Sequence, residues 1–312
     1  MKRAIIIILC CMLLMLELAG CGKGETAAVF EEKSESGLRR TTLYYATEDG
    51  YVVPVMKKIP WEEGIGKAAL SYLVSGADND RSASAMGLKT VIPEGTQYTL
   101  RIGDDKQATL DLIGYQPHSS KEEEQAMVVA VVNTLSEFDS IETVKITLDG
   151  SDKKTLPNGT DISKPMGEFA LNVEDGEVPV SGTANKLTLY FPNISASMNI
   201  PVTRYTDKVP SFSMAIQELA SGPVDGRLLN CFPDGTELMS AYIYDGIATV
   251  EFNQAFTAIE QSEGKMEAAR DAIYLCANEF EEVYGVDILV EGKEYSSHTE
   301  AVSAPVYVNE FR

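Results

Sequence analysis

The chain has 312 residues, of which 47 are acidic and 26 are basic, and its net charge is −21 at pH 7. A surface this acidic repels phosphate backbones and anionic lipids, which argues against nucleic acid as a partner and against a basic membrane-binding face. The length is sufficient for two ordinary domains.

The first twenty residues have the pattern of an export signal. Two basic residues precede an apolar run over residues 4–16, which is shorter than the roughly 20 residues that span a bilayer. The run ends in Leu-Ala-Gly-Cys at residues 18–21, which resembles the bacterial lipobox, whose cysteine becomes the acylated N-terminus of a lipoprotein. We predict that residues 1–20 are a lipoprotein signal peptide and that Cys21 is lipidated. In the alternative, the signal peptide is an ordinary one and Cys21 has no role.

A polar segment follows the cysteine. Residues 21–41 comprise the lipidated Cys21 and a stretch with few large apolar side chains, which predicts a flexible tether. Because the chain is acidic, we expect the acyl chains alone to hold it to the membrane. The predicted location is the extracytoplasmic face of the cell membrane.

The rest of the chain contains a long repeat. IPEGTQYTLRIGDDKQATLDL at residues 92–112 returns as FPDGTELMSAYIYDGIATVEF at residues 232–252. Both stretches predict a turn followed by two amphipathic strands, with the acids Asp111 and Glu251 pointing outward. We interpret the repeated stretch as scaffold and not as a duplicated catalytic loop.

Matches outside this stretch extend the repeat to a whole domain. Strand, helix and tail motifs recur in the same order, which predicts a tandem duplication. The predicted first domain spans residues 42–168, an inter-domain segment spans 169–186, and the second domain spans 187–312. The first copy has extra residues at 77–87, ADNDRSASAMG, which we predict to be an exposed polar loop. Its Asp-Asn-Asp run lacks the glycine and the distal glutamate of a calcium-binding loop.

Each copy has the same predicted elements: short strands, a helix, a strand pair, a longer helix and a final strand. The fold class is α+β, a tandem repeat of two small α/β-sandwich domains, each with a mostly antiparallel sheet and two helices. The predicted buried faces of the helices comprise Phe212, Ala215, Ile216 and Leu219, then Met127, Val131, Leu135 and Phe138, and finally Met266, Ala269, Ile273, Ala277 and Phe280.

The motifs carry a family resemblance. LYF, IPVTR, SGP, FPDGT, DGIATVEF and EGK follow one another over residues 189–293, and this order resembles the GerM domain of the sporulation and germination family. The first copy matches more loosely, since it lacks a counterpart of Arg204 and has Ala77 in place of Pro223. The resemblance implies a domain like the ring-building modules of envelope assemblies. It also implies a surface-anchored, non-catalytic role in spore formation or germination, with protein partners in such an assembly.

No catalytic, metal-binding or cofactor-binding residue is predicted. The two histidines, His118 and His298, have no counterparts in the other copy, and the Ser-x-x-Lys at 151–154 lacks the companion motif of penicillin-recognising enzymes. Cys231 and Cys276 are expected to be free thiols, with a disulfide left open. The alternative function is a lipoprotein that acts on the cell wall, as a peptidoglycan hydrolase or a carbohydrate binder. The oligomeric state stays open.

Overall fold

The computed structural model describes residues 37–62, 64–174, 184–261, 264–296 and 309–310. The signal peptide, Cys21 and most of the tether lie outside the described residues. The first copy contains β1 (Leu38–Thr47), β2 (Val52–Pro60), α1 (Ile65–Ser71), α2 (Ala77–Ser84), β3 (Leu88–Lys89), β4 (Gln97–Ile102), β5 (Gln107–Ile113), α3 (Lys121–Ser136) and β6 (Thr143–Leu148). The second contains β7 (Asn185–Pro192), β8 (Asn199–Thr206), α4 (Phe212–Ala220), β9 (Leu238–Tyr244), β10 (Ile247–Phe252), a 3-10 helix (Gln254–Gln261), α5 (Lys265–Asn278), β11 (Gly285–Val290) and β12 (Lys293–Ser296).

Each copy combines a long antiparallel hairpin with a small mixed sheet. The hairpins are β1–β2 and β7–β8, and the sheets have the strand orders β4-β5-β6 and β12-β11-β10-β9. Within each sheet one pair is parallel, β5–β6 and β10–β11, because a helix connects its two strands. These helices, α3 and α5, pack on the first hairpin strand of their own copy. The predicted α+β class is confirmed.

The longer helix of the first copy begins as its sequence requires. Ser120 caps α3 by accepting the backbone N–H of Glu123 at 3.1 Å, and three glutamates follow in the first turn, where the helix dipole favours anions. Hydrogen bonds from Ser119 hold the pKa of Glu123 below its usual value. The apolar residues of this helix that we predicted to be buried lie in the core.

The extra segment of the first copy is a helix and not the predicted loop. Residues Ala77–Ser84 form α2, with Asp78 and Asp80 in the first turn. The Asp80 carboxylate accepts the N–H of Gly76 at 3.1 Å and the hydroxyl of Thr90 at 2.6 Å. These bonds satisfy a free helix N–H and tie the helix to the next strand, which explains how so polar a stretch becomes helical.

One predicted core residue is wrong. Phe138 is 5% exposed, but Phe280 is 36% exposed. Helix α5 ends at Asn278, whose side chain accepts the N–H of Val283 at 3.2 Å, so Phe280 lies past the helix. Val283 is buried, as is its repeat counterpart Ile141, so the two copies differ at the phenylalanine alone.

The element bounds differ slightly from the predicted boundaries. Strand β1 begins at Leu38, so the last residues that we assigned to the tether are strand, because they pair with the end of β2. Strand β7 begins at Asn185, inside the predicted inter-domain segment. The domain boundaries themselves stay a prediction. Both cysteines, Cys231 and Cys276, are free and buried, as favoured from the sequence.

The described residues from Gly37 onward form one compact unit, and their buried side chains, from both copies, belong to one continuous hydrophobic cluster. The acids of the repeated stretch are half exposed. Asp111 accepts the hydroxyl of Thr147 at 2.6 Å, and Glu251 accepts that of Ser240 at 3.1 Å. They stabilise neighbouring strands, which is a scaffold role.

Candidate functional site

A cleft of about 480 Å³ lies between the two copies. Most of its lining comes in repeat-related pairs: Thr42 and Thr188, Tyr44 and Tyr190, Pro54 and Pro201, Met56 and Thr203, Glu137 and Glu279. Because the same surface of each copy faces the cleft, the copies meet as the halves of an isologous dimer do. The cleft is therefore a product of the duplication.

Two tyrosine–glutamate pairs face this cleft. The Tyr44 hydroxyl donates to Glu137 at 2.7 Å, and the Tyr190 hydroxyl donates to Glu279 at 2.5 Å. Burial raises the pKa of both tyrosine hydroxyls well above the usual value, and the partner carboxylates raise it further. The tyrosines are therefore protonated donors at neutral pH.

The glutamates give the cleft an acidic character. Burial raises the pKa of Glu137; the hydrogen bond from Tyr44 opposes the rise, and the nearby Glu168 adds to it. Lys186 is the basic residue among the lining side chains. A cleft with three carboxylates and one ammonium group can accept positive charge and hydrogen-bond donors.

Sequence reasoning missed these pairs, although a signal was present. Tyr44 and Tyr190 occupy the same position in the matched strands TLYY and TLYF, and Glu137 and Glu279 each precede a matched phenylalanine. Pairing between them could not be seen because they are about 90 residues apart in the chain.

Asn172, in the segment that follows the first copy, bridges the two copies. Its Oδ1 accepts the N–H of Val52 at 2.9 Å. Its Nδ2 donates to the carbonyl oxygens of Val52 at 2.8 Å and Pro201 at 2.7 Å. One side chain thus satisfies backbone groups on β2 of the first copy and β8 of the second.

Asn309, in the tail of the second copy, makes the reciprocal bridge. Its Oδ1 accepts the N–H of Asn199 at 3.1 Å, and its Nδ2 donates to the carbonyl oxygens of Asn199 at 3.0 Å and Pro54 at 3.2 Å. By repeat position Asn199 matches Val52, and Pro54 matches Pro201. Each asparagine therefore makes two bonds to the copy that it follows and one bond to the other copy.

A polar contact closes one side of the interface. The Tyr51 hydroxyl donates to Asp225 at 2.6 Å, and the guanidinium of Arg227 lies 5.0 Å from the Tyr51 ring centroid. Arg227 also donates to the carbonyl oxygen of Asp49 at 2.7 Å. Hydrogen bonds from Arg227, then Tyr51, hold the pKa of Asp225 far below its usual range.

Arg204 holds the segment between the copies. Its guanidinium donates to Glu174 at 2.7 Å, to Glu218 at 2.8 Å and to the carbonyl oxygen of Gly222 at 2.7 Å. The side chains of Arg204 and Glu174 are 11% and 4% exposed. This arginine has no counterpart in the first copy because it binds the connecting segment, which is present once.

The residues that could carry chemistry are not brought together. Across the described ranges, no group of three or more His, Cys, Asp and Glu side chains is placed to hold a metal ion. Burial raises the pKa of Cys231 and Cys276 and lowers that of His118. His298 and the predicted lipidation site Cys21 lie outside the described residues. The described part of the chain contains no helix long and apolar enough to cross a membrane.

Two α+β repeats that meet face to face and are bridged by reciprocal asparagine bonds define a tandem-repeat protein of mixed fold. The sequence model of the Germane family, described as sporulation and spore germination, matches residues 42–154 and 188–296. The chain belongs to this family. The resemblance predicted from the sequence is confirmed.

Two relatives extend this result. The chain is 31% identical to the spore germination protein GerM of Bacillus subtilis (strain 168), over 93% of this chain and 86% of that protein. It is also similar to the solved tandem GerMN domains of the Bacillus subtilis sporulation protein GerM. The TM-score is 0.64 at 30% identity, and the match covers 88% of this chain and 100% of that one. The tandem architecture is therefore that of a solved relative.

Proposed function

We propose that the protein is a lipid-anchored, non-catalytic binding and assembly protein that acts in spore formation or germination on the extracytoplasmic face of the cell membrane. The observation that carries this proposal is the tandem architecture shared with a sporulation and germination protein. The two copies share one hydrophobic core, and packed elements of this kind hold a binding site more precisely than loops do.

The anchor follows from the N-terminal sequence. The thiol of Cys21 accepts a diacylglycerol, and cleavage after Gly20 frees an amino group for a further chain. Two or more acyl chains hold a protein stably, whereas one does so only marginally. Anchoring raises the effective concentration of the domains at a membrane-bound assembly.

The test is genetic. In a spore-forming host with the gene deleted, the wild-type gene is expected to restore spore yield and germination. Cys21→Ser is expected to fail although the protein is made, because the anchor is lost. A matched control carries Cys21→Ser behind an unrelated membrane anchor and is expected to restore function. Normal sporulation and germination in the deletion strain would contradict the proposal.

The cleft favours a second candidate, a lipoprotein that hydrolyses cell-wall glycans. Glycosidases use two carboxyl groups, one with a raised pKa, and Glu137 with Glu279 loosely fits that description. However, each of these groups already accepts a tyrosine hydroxyl. In zymography on peptidoglycan, we expect no clearing by the wild-type chain. Clearing that is lost in both Glu137→Gln and Glu279→Gln would establish the second candidate instead.

A further inference from the structure

The β9–β10 hairpin of the second copy exposes aromatic side chains. On β9, Tyr242 is 53% exposed and Tyr244 is 77% exposed. Tyr284 is 54% exposed and lies against the hairpin turn, where its ring contacts Gly246 and its hydroxyl donates to the carbonyl oxygen of Asp245 at 2.8 Å. We call Tyr242, Tyr244 and Tyr284 the tyrosine cluster. Exposed tyrosines grouped in this way are typical of interfaces.

The first copy shows that the fold does not need these tyrosines. Arg101 lies opposite Thr109 in the first sheet, where Tyr242 lies opposite Thr249 in the second. The two sheets share the same antiparallel and parallel pairs, and the second adds β12 at the edge away from β9. The tyrosine at this position is therefore an addition to the scaffold.

The contact at the hairpin turn differs in the same way. The N–H of Glu142 bonds the carbonyl oxygen of Lys106 at 2.9 Å, and the N–H of Tyr284 bonds that of Gly246 at the same distance. At this shared backbone hydrogen bond, the first copy has an exposed ion pair, with Lys106 Nζ 2.7 Å from Glu142 Oε1. The second copy places an aromatic ring against a glycine. A Cβ on Gly246 would lie 2.3 Å from the Tyr284 ring, so the glycine is what lets the ring pack there.

Strand β9 is also the terminal strand of its sheet, and helix α4 packs on it. It is the last strand in the order β12-β11-β10-β9, and no strand of the described ranges pairs with its outer side. Its sequence, LMSAYIY, contains no charged residue and no proline, which are the features that usually protect an edge strand. In the first copy the edge strand β4 carries Arg101. An edge strand that lacks charge and proline and lies beside exposed aromatic rings suits the addition of a strand from a partner.

Charge decides what kind of strand fits. The stretch from residue 232 to residue 252 contains four acids and no lysine or arginine, in a chain of net charge −21. A second copy of this chain is therefore repelled. We infer that β9 and the tyrosine cluster bind an extended, basic segment of another protein, which adds as a strand to the sheet. The inference rests on the proposed binding role and names the chemistry of the partner.

The test uses the full-length protein in mild detergent. The probe is a fluorescent peptide of alternating Lys and Val residues, about as long as β9. We expect it to bind, to bind more weakly as salt is added, and to slow amide hydrogen exchange over Leu238–Tyr244. The double variant Tyr242→Ser/Tyr244→Ser should raise the Kd at least about tenfold. A control double variant on the edge strand of the first copy, Thr99→Ser/Arg101→Ser, should leave the Kd unchanged.

Several results would overturn the inference. These are no binding of the Lys–Val peptide, equal binding of a Glu–Val peptide, or binding that the tyrosine variant does not weaken. Self-association or binding of purified peptidoglycan glycan strands, if lost in the tyrosine variant, would assign the surface to another occupant. Thermal melts confirm that each variant folds. The outcome of this binding assay does not depend on membrane anchoring or on sporulation. If the peptide fails to bind, the Cys21→Ser experiment still tests the proposed function separately.

Discussion

At the scale of single residues, we expect Asp271 to make stability depend on pH. Burial on α5 raises the pKa of Asp271 to about 6 from its ordinary value of 3.8, and Glu267 adds to the rise. Because the folded pKa exceeds the unfolded one, the ionised carboxylate lowers the free energy of unfolding above about pH 6. That cost disappears as the pH falls toward about 4.

We therefore expect Asp271→Asn to raise the free energy of unfolding by roughly 1–3 kcal/mol at pH 7. The gain should vanish near pH 4, where the wild-type carboxyl is protonated as well. Urea titrations at both pH values measure the difference, and Asp207→Asn at an exposed position is the control. An equal gain at both pH values would show that titration of Asp271 is not the cause.

The two bridging asparagines should matter equally. Asn172→Ala and Asn309→Ala each leave backbone groups of both copies without their partner, which costs about 1–3 kcal/mol. Asn185→Ala removes one exposed bond to Lys208 and should cost much less. Chemical denaturation of the three variants compares them. If Asn309→Ala behaved like Asn185→Ala, the reciprocal bridge would be irrelevant to stability.

At the scale of elements, the ends of α3 and α5 give a matched pair of phenylalanines. Phe138 is buried and lies under the guanidinium of Arg39, 5.4 Å from its ring centroid, whereas Phe280 is partly exposed. Phe138→Ala should lower the free energy of unfolding by about 3–5 kcal/mol. Phe280→Ala should lower it by less than about 1 kcal/mol, since exposed substitutions rarely cost more than that. Equal losses in denaturant titrations would contradict these burial assignments.

The elements also show what local sequence can predict. The apolar spacing of residues 212–219 and 127–135 placed two helices and their buried faces correctly. Helix α2 was missed because its stretch is polar, and its start depends on a bond between Asp80 and Gly76. Phe280 was misplaced because its burial depends on tertiary neighbours and not on the helix end: Phe138 also lies two residues past its helix, but Arg39 covers its ring.

Contacts between residues far apart in the chain cannot be predicted from the periodicity of the sequence. The duplication was plain from matched motifs, but the way the copies face each other depends on Asn172 and Asn309, which bond strands far away in the chain. The tyrosine–glutamate pairs likewise join residues that are far apart in the chain. Polar residues that recur at matched positions in both copies, such as these tyrosines and glutamates, would have indicated the pairs.

At the scale of the whole molecule, the shared core and the reciprocal asparagine bonds predict one cooperative unit. Trp61, the single tryptophan, lies in the first copy, so its fluorescence reports that copy alone. Far-ultraviolet circular dichroism reports both copies. We expect the two thermal transitions to coincide in the wild-type chain. Separate midpoints would show that the copies unfold independently.

The face-to-face pairing has a consequence for valency. A symmetric dimer of identical single repeats would present every outer feature twice and could link its partners into a network. Here the two copies of one chain bury their joining surfaces against each other. The two outer hairpins differ, because exposed tyrosines lie beside the second and an ion pair lies on the first. If the tyrosine cluster is the binding surface, as we infer, fusion of the repeats turns a bivalent body into a monovalent one. We then expect the molecule to end a chain of contacts instead of extending it.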